Sequence, residues 1–331
     1  MRATPATSPQ SANRRRLMSD KAKRFRTVLN RPELLLIPGG FTPLHARACE
    51  EAGYEAFFMS GSQVAAYIFG LPDVGIVSMR DMVECVRRLA NGSTIPIFAD
   101  ADTGYGNAVN VRAAVQEYVK AGAAGLHIED QEFPKRSGTK AGRRCISADE
   151  AIGKYRAAVD AARELDPDFV ICARCDLIGA ESGGFEAAVE RCVRYKREAS
   201  VDLIWINTIP DRLQVQEALR RIPGPVIATY AGPQPQPTLD EWQAWGAAAA
   251  IFPAMTTAPG LQYVWDYLHD FKARGMAATA DVQARTRASA WGIASFGELV
   301  GESKVKEIEE RYLPSEQQRD YEGTFGHNPS V

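Results

Sequence analysis

Several features that would assign this sequence to a particular class of protein are missing from it. The chain has 331 residues and a formal net charge of −2, so it has no excess of positive charge to bind nucleic acid or an anionic membrane surface. It has no apolar stretch near the roughly 18 residues that a membrane span requires. Its six cysteines are too few for a disulfide framework in so long a chain, and they indicate reduced thiols. We therefore expect a soluble cytoplasmic protein without a nucleic-acid or membrane partner.

The N-terminal segment differs in composition from the rest. Its first 16 residues contain four arginines together with Ser, Thr and Pro, and no acidic residue. Because this segment lacks the apolar core of a secretory signal, we interpret residues 1–18 as a disordered tail. A mitochondrial transit peptide, and hence a mitochondrial location, is the alternative, although Pro5 and Pro9 weaken an amphipathic helix there. We expect a single domain over residues 19–313 and a polar tail over residues 314–331.

Between these tails, strand-like and helix-like segments alternate. A leading helix is predicted over Ser19–Leu29. The apolar runs typical of buried strands are Leu34–Pro38, Ala56–Ser60, Ile95–Asp100, Gly125–Glu129, Phe169–Arg174, Leu203–Asn207, Val226–Tyr230 and Ala249–Phe252. Segments with helical periodicity lie between most of them: Pro43–Glu51, Ser78–Ala90, Val109–Ala121, Ser147–Leu165, Phe185–Ala199, Asp211–Arg221 and Leu239–Ala244. Eight strand–helix repeats in about 220 residues favour a (β/α)8 TIM barrel. Further helices are predicted at Leu261–Arg274, Asp281–Gly297 and Glu302–Arg311.

The segment from Ile97 to Gly106 changes abruptly from an apolar run to two carboxylates and two glycines. Asp100 and Asp102 are two positions apart, so on a strand they project to the same face. Carboxylates this close repel each other unless a proton or a cation lies between them. A hard divalent ion such as Mg²⁺ is one interpretation. Capping of a helix that begins near Asn110 is the other.

Other charged residues lie at predicted strand ends, where barrel enzymes build their active sites. Glu129 ends the fourth strand, beside the strand that carries Asp100. Residues 130–144 form a long loop with five basic side chains, which suits either a lid over an anionic substrate or a solvated surface. Arg174 lies within an apolar strand, and its guanidinium suits a carboxylate or phosphoryl group.

Together these segments resemble the isocitrate lyase and phosphoenolpyruvate mutase superfamily, in particular its 2-methylisocitrate lyase-like branch. The similar segments are Phe58-Met-Ser-Gly61, Gly70-Leu-Pro-Asp73, Ala99-Asp-Ala-Asp-Thr-Gly-Tyr-Gly106, His127-Ile-Glu-Asp-Gln131, Phe133-Pro-Lys-Arg136 and Ala173-Arg174. They occur in the family's order and span about residues 25 to 290. The resemblance implies a TIM barrel whose C-terminal helices are swapped between the subunits of a homo-oligomer, a dimer or a tetramer. It also implies Mg²⁺, with Mn²⁺ as an alternative, and small anionic 2-oxo or 2-hydroxy acid substrates.

The resemblance also implies roles for individual residues. The residues expected around the metal, partly through water, are Asp73, Asp100, Asp102 and Glu129. The residues expected to bind the substrate are Ser60, Gly61, Ser62, Asn207 and Thr229. The residues expected to act in catalysis are Arg174, at the oxyanion, and Lys135, Arg136 and Ser137, in the long loop over residues 130–144, which the resemblance implies is a gating loop.

Four features depart from the family pattern. Ser137 stands where the lyase branch has its acid/base cysteine, and a hydroxyl does not exchange a proton as readily as a thiol with a pKa of about 8.5. Asn207 stands where isocitrate lyases have a glutamate. The segment Thr229-Tyr-Ala-Gly232 lacks an asparagine found in many relatives, and the loop asparagine of the mutases is also absent.

These observations predict a Mg²⁺-dependent carbon–carbon lyase that acts on a small 2-hydroxy or 2-oxo di- or tricarboxylate through an enolate-like state. Retro-aldol cleavage and decarboxylation are both compatible with the sequence. Because the loop thiol is missing, a reaction whose product carbanion needs no proton from the enzyme is favoured. The alternatives are phosphorus–carbon chemistry of the phosphonopyruvate mutase or hydrolase kind, and a non-catalytic ligand-binding relative.

Overall fold

The computed structural model describes residues 20–229, 232–289, 296–321 and 323–324. Its core is a closed barrel of eight parallel strands in sequential order, in which β1 also pairs with β8. The strands are β1 (Leu35–Gly40), β2 (Phe57–Met59), β3 (Ile97–Asp100), β4 (Gly125–Glu129), β5 (Val170–Cys175), β6 (Leu203–Ile206), β7 (Val226–Thr229) and β8 (Ala249–Phe252). The predicted (β/α)8 barrel is therefore confirmed.

Helices connect the strands and continue after the barrel. They are α1 (20–29), α2 (Pro43–Glu51), α3 (Gly61–Phe69), α4 (Met79–Gly92), α5 (Ala108–Ala121), α6 (Ala148–Leu165), α7 (Phe185–Ala199), α8 (Arg212–Arg221), α9 (Leu239–Ala244), α10 (Ala258–Arg274), α11 (Met276–Ala288), α12 (Phe296–Val300) and α13 (Ser303–Tyr312). The sequence did not predict α3. The helix predicted to run from Asp281 to Gly297 was also wrong, because α11 ends at Ala288 and residues 290–295 lie outside the described residues.

Side chains alternate between the inside of the barrel and its outer layer, as strand geometry requires. The interior contains Phe58, Phe98, Cys172 and Trp205, whereas neighbours such as Phe57, Ala99 and Ala173 face the helices. Helix α1 closes the N-terminal end of the barrel. Its Phe25 is fully buried, and the Phe25 ring centroid is 5.4 Å from that of Phe98.

The chain divides into two compact units, residues 1–257 with the barrel and Ala258–Val331 with the C-terminal helices. The predicted division into two tails and one domain over 19–313 remains a prediction, and residues 1–18 lie outside the described residues. Within the described ranges, no helix has the length and apolar character to cross a membrane. All six cysteines have free thiols.

Candidate active site

Four polar side chains form the last inward-facing layer at the C-terminal ends of neighbouring strands. Asp100, Glu129, Arg174 and Asn207 each follow an interior residue of their strand by two positions. Strand register places Glu129 opposite Arg174 on the neighbouring strand. This layer therefore brings two carboxylates, a guanidinium and an amide to the mouth of the barrel, where TIM-barrel enzymes carry out their chemistry.

Asp100 is held by backbone donors. Its Oδ2 accepts a hydrogen bond of 3.0 Å from the Gly61 N–H, and its Oδ1 accepts one of 2.9 Å from the Asp102 N–H. Glycine is required at position 61, because a Cβ there would lie 2.7 Å from Asp100 Oδ2. Burial opposes ionisation of Asp100, but His127 first, then Lys135 and Arg174, and finally the Asp102 N–H lower its pKa to about 2. Asp100 is therefore a fixed carboxylate.

Below this layer, His127 belongs to the barrel interior. Its ring is fully buried, with its centroid 4.9 Å from that of Trp205 and 5.6 Å from that of Phe58. Burial lowers the pKa of His127 to about 4, so the ring is neutral at physiological pH. The ring lies beneath Asp100, with Nε2 3.4 Å from Asp100 Oδ1, and neither ring nitrogen makes a hydrogen bond to the described residues.

Asp102 and Glu129, the other two carboxylates at the mouth of the barrel, accept fewer hydrogen bonds than Asp100 does. Asp102 adopts a positive φ of 54°, and its carbonyl accepts the Glu129 N–H at 2.9 Å. Burial, reinforced by the charges of Asp100 and Asp73, raises the pKa of Asp102 to about 6. Burial raises the pKa of Glu129 well above its usual range. Within the described part of the chain, neither oxygen of Glu129 accepts a hydrogen bond.

Lys135 of the long loop lies among these carboxylates. Its Nζ is 2.6 Å from Asp73 Oδ1, 3.3 Å from Asp102 Oδ1 and 3.7 Å from Glu129 Oε1. Burial alone would lower the pKa of Lys135, but the surrounding carboxylates, first Glu129 and then Asp102, raise it well above its usual range. The side chain is only 3% exposed, so the ammonium is a buried counter-ion rather than a solvated lysine.

The residues predicted to surround a metal are therefore gathered around one point. As the side chains stand, with Lys135 between them, no group of three or more His, Cys, Asp or Glu residues in the described ranges is arranged to hold a metal ion. The donor set nevertheless fits a hard divalent cation, because all its atoms are carboxylate oxygens. The buried oxygens of Glu129 and Asp102 Oδ1, which accept no hydrogen bond from the described residues, support this fit.

Arg174 lies between two protein carboxylates. Its Nη1 is 3.2 Å from Glu129 Oε2, and its Nε and Nη2 are 2.9 and 3.0 Å from the two oxygens of Asp176. The guanidinium also lies over the Trp205 ring, 4.8 Å from its centroid. Asn207 donates a hydrogen bond of 2.6 Å to Asp176 Oδ1. These contacts fix both the position and the plane of the guanidinium.

The long loop closes over Arg174 through Gly138. A Cβ at position 138 would lie 1.9 Å from Arg174 Nη2 and 2.6 Å from Asn207 Nδ2, so only glycine fits. The Gly138 carbonyl accepts hydrogen bonds from Asn207 Nδ2 at 2.9 Å and from Arg143 Nη1 at 2.5 Å. Buried Arg143 also donates to the Ile178 carbonyl. The loop is thereby tied to the β5 and β6 ends of the barrel.

The remaining predicted site residues vary in how closely they approach this centre. Ser60 precedes α3 and is buried, with its Oγ 3.1 Å from the Oγ of half-buried Ser62. Arg136 is exposed, and its guanidinium donates to the Lys135 carbonyl at 3.1 Å, so it does not join the converging groups. Ser137 is half-buried next to Gly138. Thr229 ends β7, and its side chain lies outside the described residues.

Cys145 does not replace the thiol that is missing from position 137. Its Sγ lies 3.5 Å from Asp130 Oδ1, to which it donates. Burial and the charge of Asp130 raise the pKa of Cys145 far above its usual range. A thiol that holds its proton this strongly is unsuited to proton exchange at neutral pH.

Three supporting residues were missed by the sequence analysis. Asp176 orients Arg174, and its position two residues beyond that arginine was a usable pattern. Arg143 was not distinguishable from the other basic loop residues. Asp130 is buried and accepts hydrogen bonds from the Asp176 N–H at 2.8 Å, from Arg191 at 3.1 Å and from Tyr195 at 2.7 Å. Nothing in the sequence indicated that it joins these segments.

Comparisons with known proteins identify the family of this chain. Residues 25–262 match the phosphoenolpyruvate phosphomutase family. The chain is 32% identical to 2,3-dimethylmalate lyase of Eubacterium barkeri over 293 residues, which cover 88% of this chain and 98% of that protein. It is 38% identical to 2-methylisocitrate lyase of Escherichia coli (strain K12) over 234 residues, which cover 70% of this chain and 77% of that protein.

Solved structures of the same superfamily have the same fold. Oxaloacetate acetylhydrolase in complex with the inhibitor 3,3-difluorooxalacetate superposes with a TM-score of 0.78 at 30% identity, covering 88% of this chain and 97% of that one. Phosphonopyruvate hydrolase in complex with oxalate and Mg²⁺ superposes with a TM-score of 0.75 at 27% identity, covering 89% and 99%. The predicted resemblance is confirmed, and this chain belongs to the phosphoenolpyruvate mutase and isocitrate lyase superfamily of enzymes.

Proposed function

We propose that this protein is a divalent-cation-dependent carbon–carbon lyase that acts on a small 2-hydroxy or 2-oxo di- or tricarboxylate. One observation carries the proposal: buried carboxylates with unsatisfied oxygens and a fully oriented arginine meet at the C-terminal end of the barrel. An enolate-forming reaction needs positive charge fixed where negative charge develops, in a site that excludes water. Within the superfamily, the relatives named above include lyases of small carboxylic acids.

Arg174 is the residue that we assign to the substrate carboxylate or to the developing oxyanion. Asp176 and the Trp205 ring hold its guanidinium in one plane, so no reorganisation is needed when charge develops. Glu129 Oε2 contacts one edge of the guanidinium in this structure, 3.2 Å from Nη1. We expect this edge of the guanidinium to become available to the substrate when the Glu129 side chain rotates to coordinate a bound cation.

The cation site would be formed by Asp100, Asp102, Glu129 and Asp73. Bound there, Mg²⁺ or Mn²⁺ would polarise the substrate oxygens as a Lewis acid. Asp100 keeps its charge at neutral pH, since its pKa is held at about 2. Its two backbone donors also keep it in place, so it would be the fixed ligand of the set.

The residues of the gating loop favour one type of product. Ser137 replaces the thiol of the lyase branch, and the raised pKa of Cys145 makes it a poor substitute. Cleavage whose product carbanion takes its proton from water, as in hydrolysis of a 2-oxo dicarboxylate, is therefore the second candidate. The similarity to oxaloacetate acetylhydrolase supports it.

A substrate panel tests these proposals. The protein is incubated with Mg²⁺ and with 2-methylisocitrate, 2,3-dimethylmalate, oxaloacetate or phosphonopyruvate, and release or consumption of the 2-oxo acid is followed. Turnover of either hydroxy acid supports retro-aldol cleavage, and turnover of oxaloacetate alone supports hydrolysis or decarboxylation. Turnover of phosphonopyruvate alone contradicts the carbon–carbon lyase assignment. Mg²⁺-dependent oxalate binding without any turnover supports a non-catalytic relative.

We also propose that the protein is a homo-oligomer, a dimer or a tetramer. Helix α10, which is described along its full length, buries none of its side chains. Trp265, Leu268 and Phe271 are 60%, 58% and 42% exposed, and such a row of large apolar side chains is typical of an interface. Light scattering on the purified protein measures its mass in solution, and a monomer would contradict the proposal.

A further inference from the structure

The ammonium of Lys135 occupies the place that the carboxylates would otherwise offer to a cation. It lies within 4 Å of oxygens of Asp73, Asp102 and Glu129, three of the four proposed ligands. It comes from the gating loop rather than from a barrel strand. Residues 132–134, which precede it, are exposed, so the ammonium reaches inward from a surface segment to a site where it is 3% exposed.

A lysine ammonium and a divalent cation cannot both be surrounded by these oxygens. Two positive centres held a few ångströms apart in a buried site repel each other, and each needs the same lone pairs. If Lys135 leaves, buried Asp102 loses its cationic partner and Glu129 keeps only Arg174, which is an unfavourable state for the two carboxylates. The cluster is thus stable with the ammonium or with the cation, and with only one of them at a time.

We propose that Lys135 is an internal counter-ion that is exchanged for the divalent cation, so that cation binding releases the Lys135 segment of the gating loop toward the substrate. The inference rests on the cation site of the proposed function and adds to it an order of events. The cation enters first, and the freed ammonium then becomes available to an anionic substrate.

The contacts of the loop limit the movement to one part of it. The Gln131 side chain holds the backbone of Arg136. Its Oε1 accepts a hydrogen bond of 2.9 Å from the Arg136 N–H, and its Nε2 donates one of 2.9 Å to the Arg136 carbonyl. Gly138 is held separately by Asn207 and Arg143. Lys135 therefore leaves by rearrangement of its own side chain and of the residues near it, while the Gly138 end keeps its contacts.

Competition between the Lys135 ammonium and the divalent cation should lower the apparent affinity of the site for the cation. When an internal group occupies a site in most molecules, the apparent dissociation constant of the competing ligand rises in proportion. Lys135→Met removes the ammonium and keeps an unbranched side chain of similar length. Lys140→Met is the matched control, because Lys140 is exposed in the same loop and belongs to none of the ion pairs described above.

The test measures Mn²⁺ binding by electron paramagnetic resonance and by calorimetry, without substrate. We expect Lys135→Met to bind Mn²⁺ at least about fivefold more tightly than the natural protein, with Lys140→Met unchanged. We also expect Lys135→Met to melt at a lower temperature in EDTA and to gain more from added Mn²⁺ than the natural protein does. Equal or weaker Mn²⁺ binding by Lys135→Met overturns the proposal.

Hydrogen exchange supplies a second readout. In the natural protein Mn²⁺ should increase amide exchange over residues 132–137, whereas in Lys135→Met exchange should be fast from the outset and insensitive to Mn²⁺. A loop whose exchange does not respond to Mn²⁺ in the natural protein also overturns the proposal. If Lys135→Met does not fold, Lys135→Gln serves in the same two measurements.

Failure of this inference can be distinguished from failure of the proposed function. If Mn²⁺ binds and the substrate panel shows turnover while Lys135→Met has unchanged affinity, the enzyme assignment stands and the exchange is wrong. If neither protein binds Mn²⁺ at millimolar concentration, both are wrong.

Discussion

The two sides of the barrel mouth position their charged groups by different means. On the β3–β4 side, Asp100 is fixed by backbone N–H groups close to the barrel itself. On the β5–β6 side, Arg174 is oriented by the Asp176 side chain, and Asn207 joins Asp176 to the loop residue Gly138. The position of Asp100 therefore does not depend on the long loop. The β5–β6 side does depend on the conformation of that loop.

This difference separates two requirements of catalysis. A cation site must keep its ligands in place whether or not substrate is present, and backbone donors provide such rigidity. A substrate site must open and close, so ties between side chains and a loop are suitable there. Substitutions on the two sides should therefore separate cation affinity from substrate turnover.

The largest effect is expected from Asp100→Asn. The amide keeps the size of the carboxylate but loses its charge and one of its two acceptor oxygens. We expect kcat/KM to fall about 1,000-fold and Mn²⁺ affinity to fall at least about tenfold. Glu132→Gln, at an exposed loop carboxylate, is the control and should keep both values. Retained Mn²⁺ affinity in Asp100→Asn would contradict the assignment of the cation to this side.

Arg174→Lys should reduce turnover nearly as much as Asp100→Asn does, without weakening cation binding. An ammonium cannot contact Glu129 and both oxygens of Asp176 at once. We expect kcat/KM to fall about 100-fold to 1,000-fold, with Mn²⁺ affinity changed by less than about threefold. Steady-state kinetics beside Mn²⁺ titration measures both. A large loss of Mn²⁺ affinity would show that the two sides are not independent.

Gly138→Ala tests the dependence on the loop. The added Cβ would meet Arg174 Nη2 at 1.9 Å, so the loop cannot close in its present position. We expect a loss of about 10-fold to 100-fold in kcat/KM, unchanged Mn²⁺ affinity and faster hydrogen exchange over the loop. In the control, Gly153→Ala, the Cβ meets nothing within 4 Å. Unchanged kinetics in Gly138→Ala would mean that this closure is not part of turnover.

Ser137→Cys restores the residue type of the lyase branch and should have a smaller effect. A thiol exchanges protons near neutral pH far more readily than a hydroxyl. We expect any retro-aldol rate to rise about tenfold, measured as release of the 2-oxo acid. An unchanged rate would place the proton donor elsewhere in the site.

The smallest expected effect is on the chemical labelling of the Cys145 thiol. Its raised pKa and its contact with Asp130 predict that it stays unlabelled by iodoacetamide in the folded protein at neutral pH. In Ser137→Cys the new thiol should be labelled while Cys145 is not, as peptide mass spectrometry can show. Rapid labelling of Cys145 in the natural protein would mean that its thiol can ionise near neutral pH and could act as the acid.

Much of the barrel could be predicted because each strand is a short apolar run bounded by turn residues. The predicted bounds of β4, β8, α7 and α9 agree with the structure. Helix α3 was missed because its first residues, Gly61 and Ser62, are typical of a turn. The structure supplies the reason for that glycine, since a Cβ would meet Asp100. A contact between residues 39 positions apart leaves no local pattern.

The candidate site could be predicted only in part, for the same reason. Strand alternation places Asp100, Glu129 and Arg174 on one inner layer, so their convergence follows from local periodicity. The positions of Lys135 and Gly138 depend on the path of a long loop, which periodicity does not determine. The mitochondrial alternative, the swapped helices and the role of Thr229 remain predictions.

The way in which α1 closes the barrel has a practical consequence. Phe25 lies on the floor of the barrel, and Arg26 is tied to Asp202 at 2.8 Å at the same end. A fluorescent label attached to the exposed α1 residue Lys23 would thus lie at the end of the barrel opposite Arg174, where it would report on the barrel without touching the candidate site.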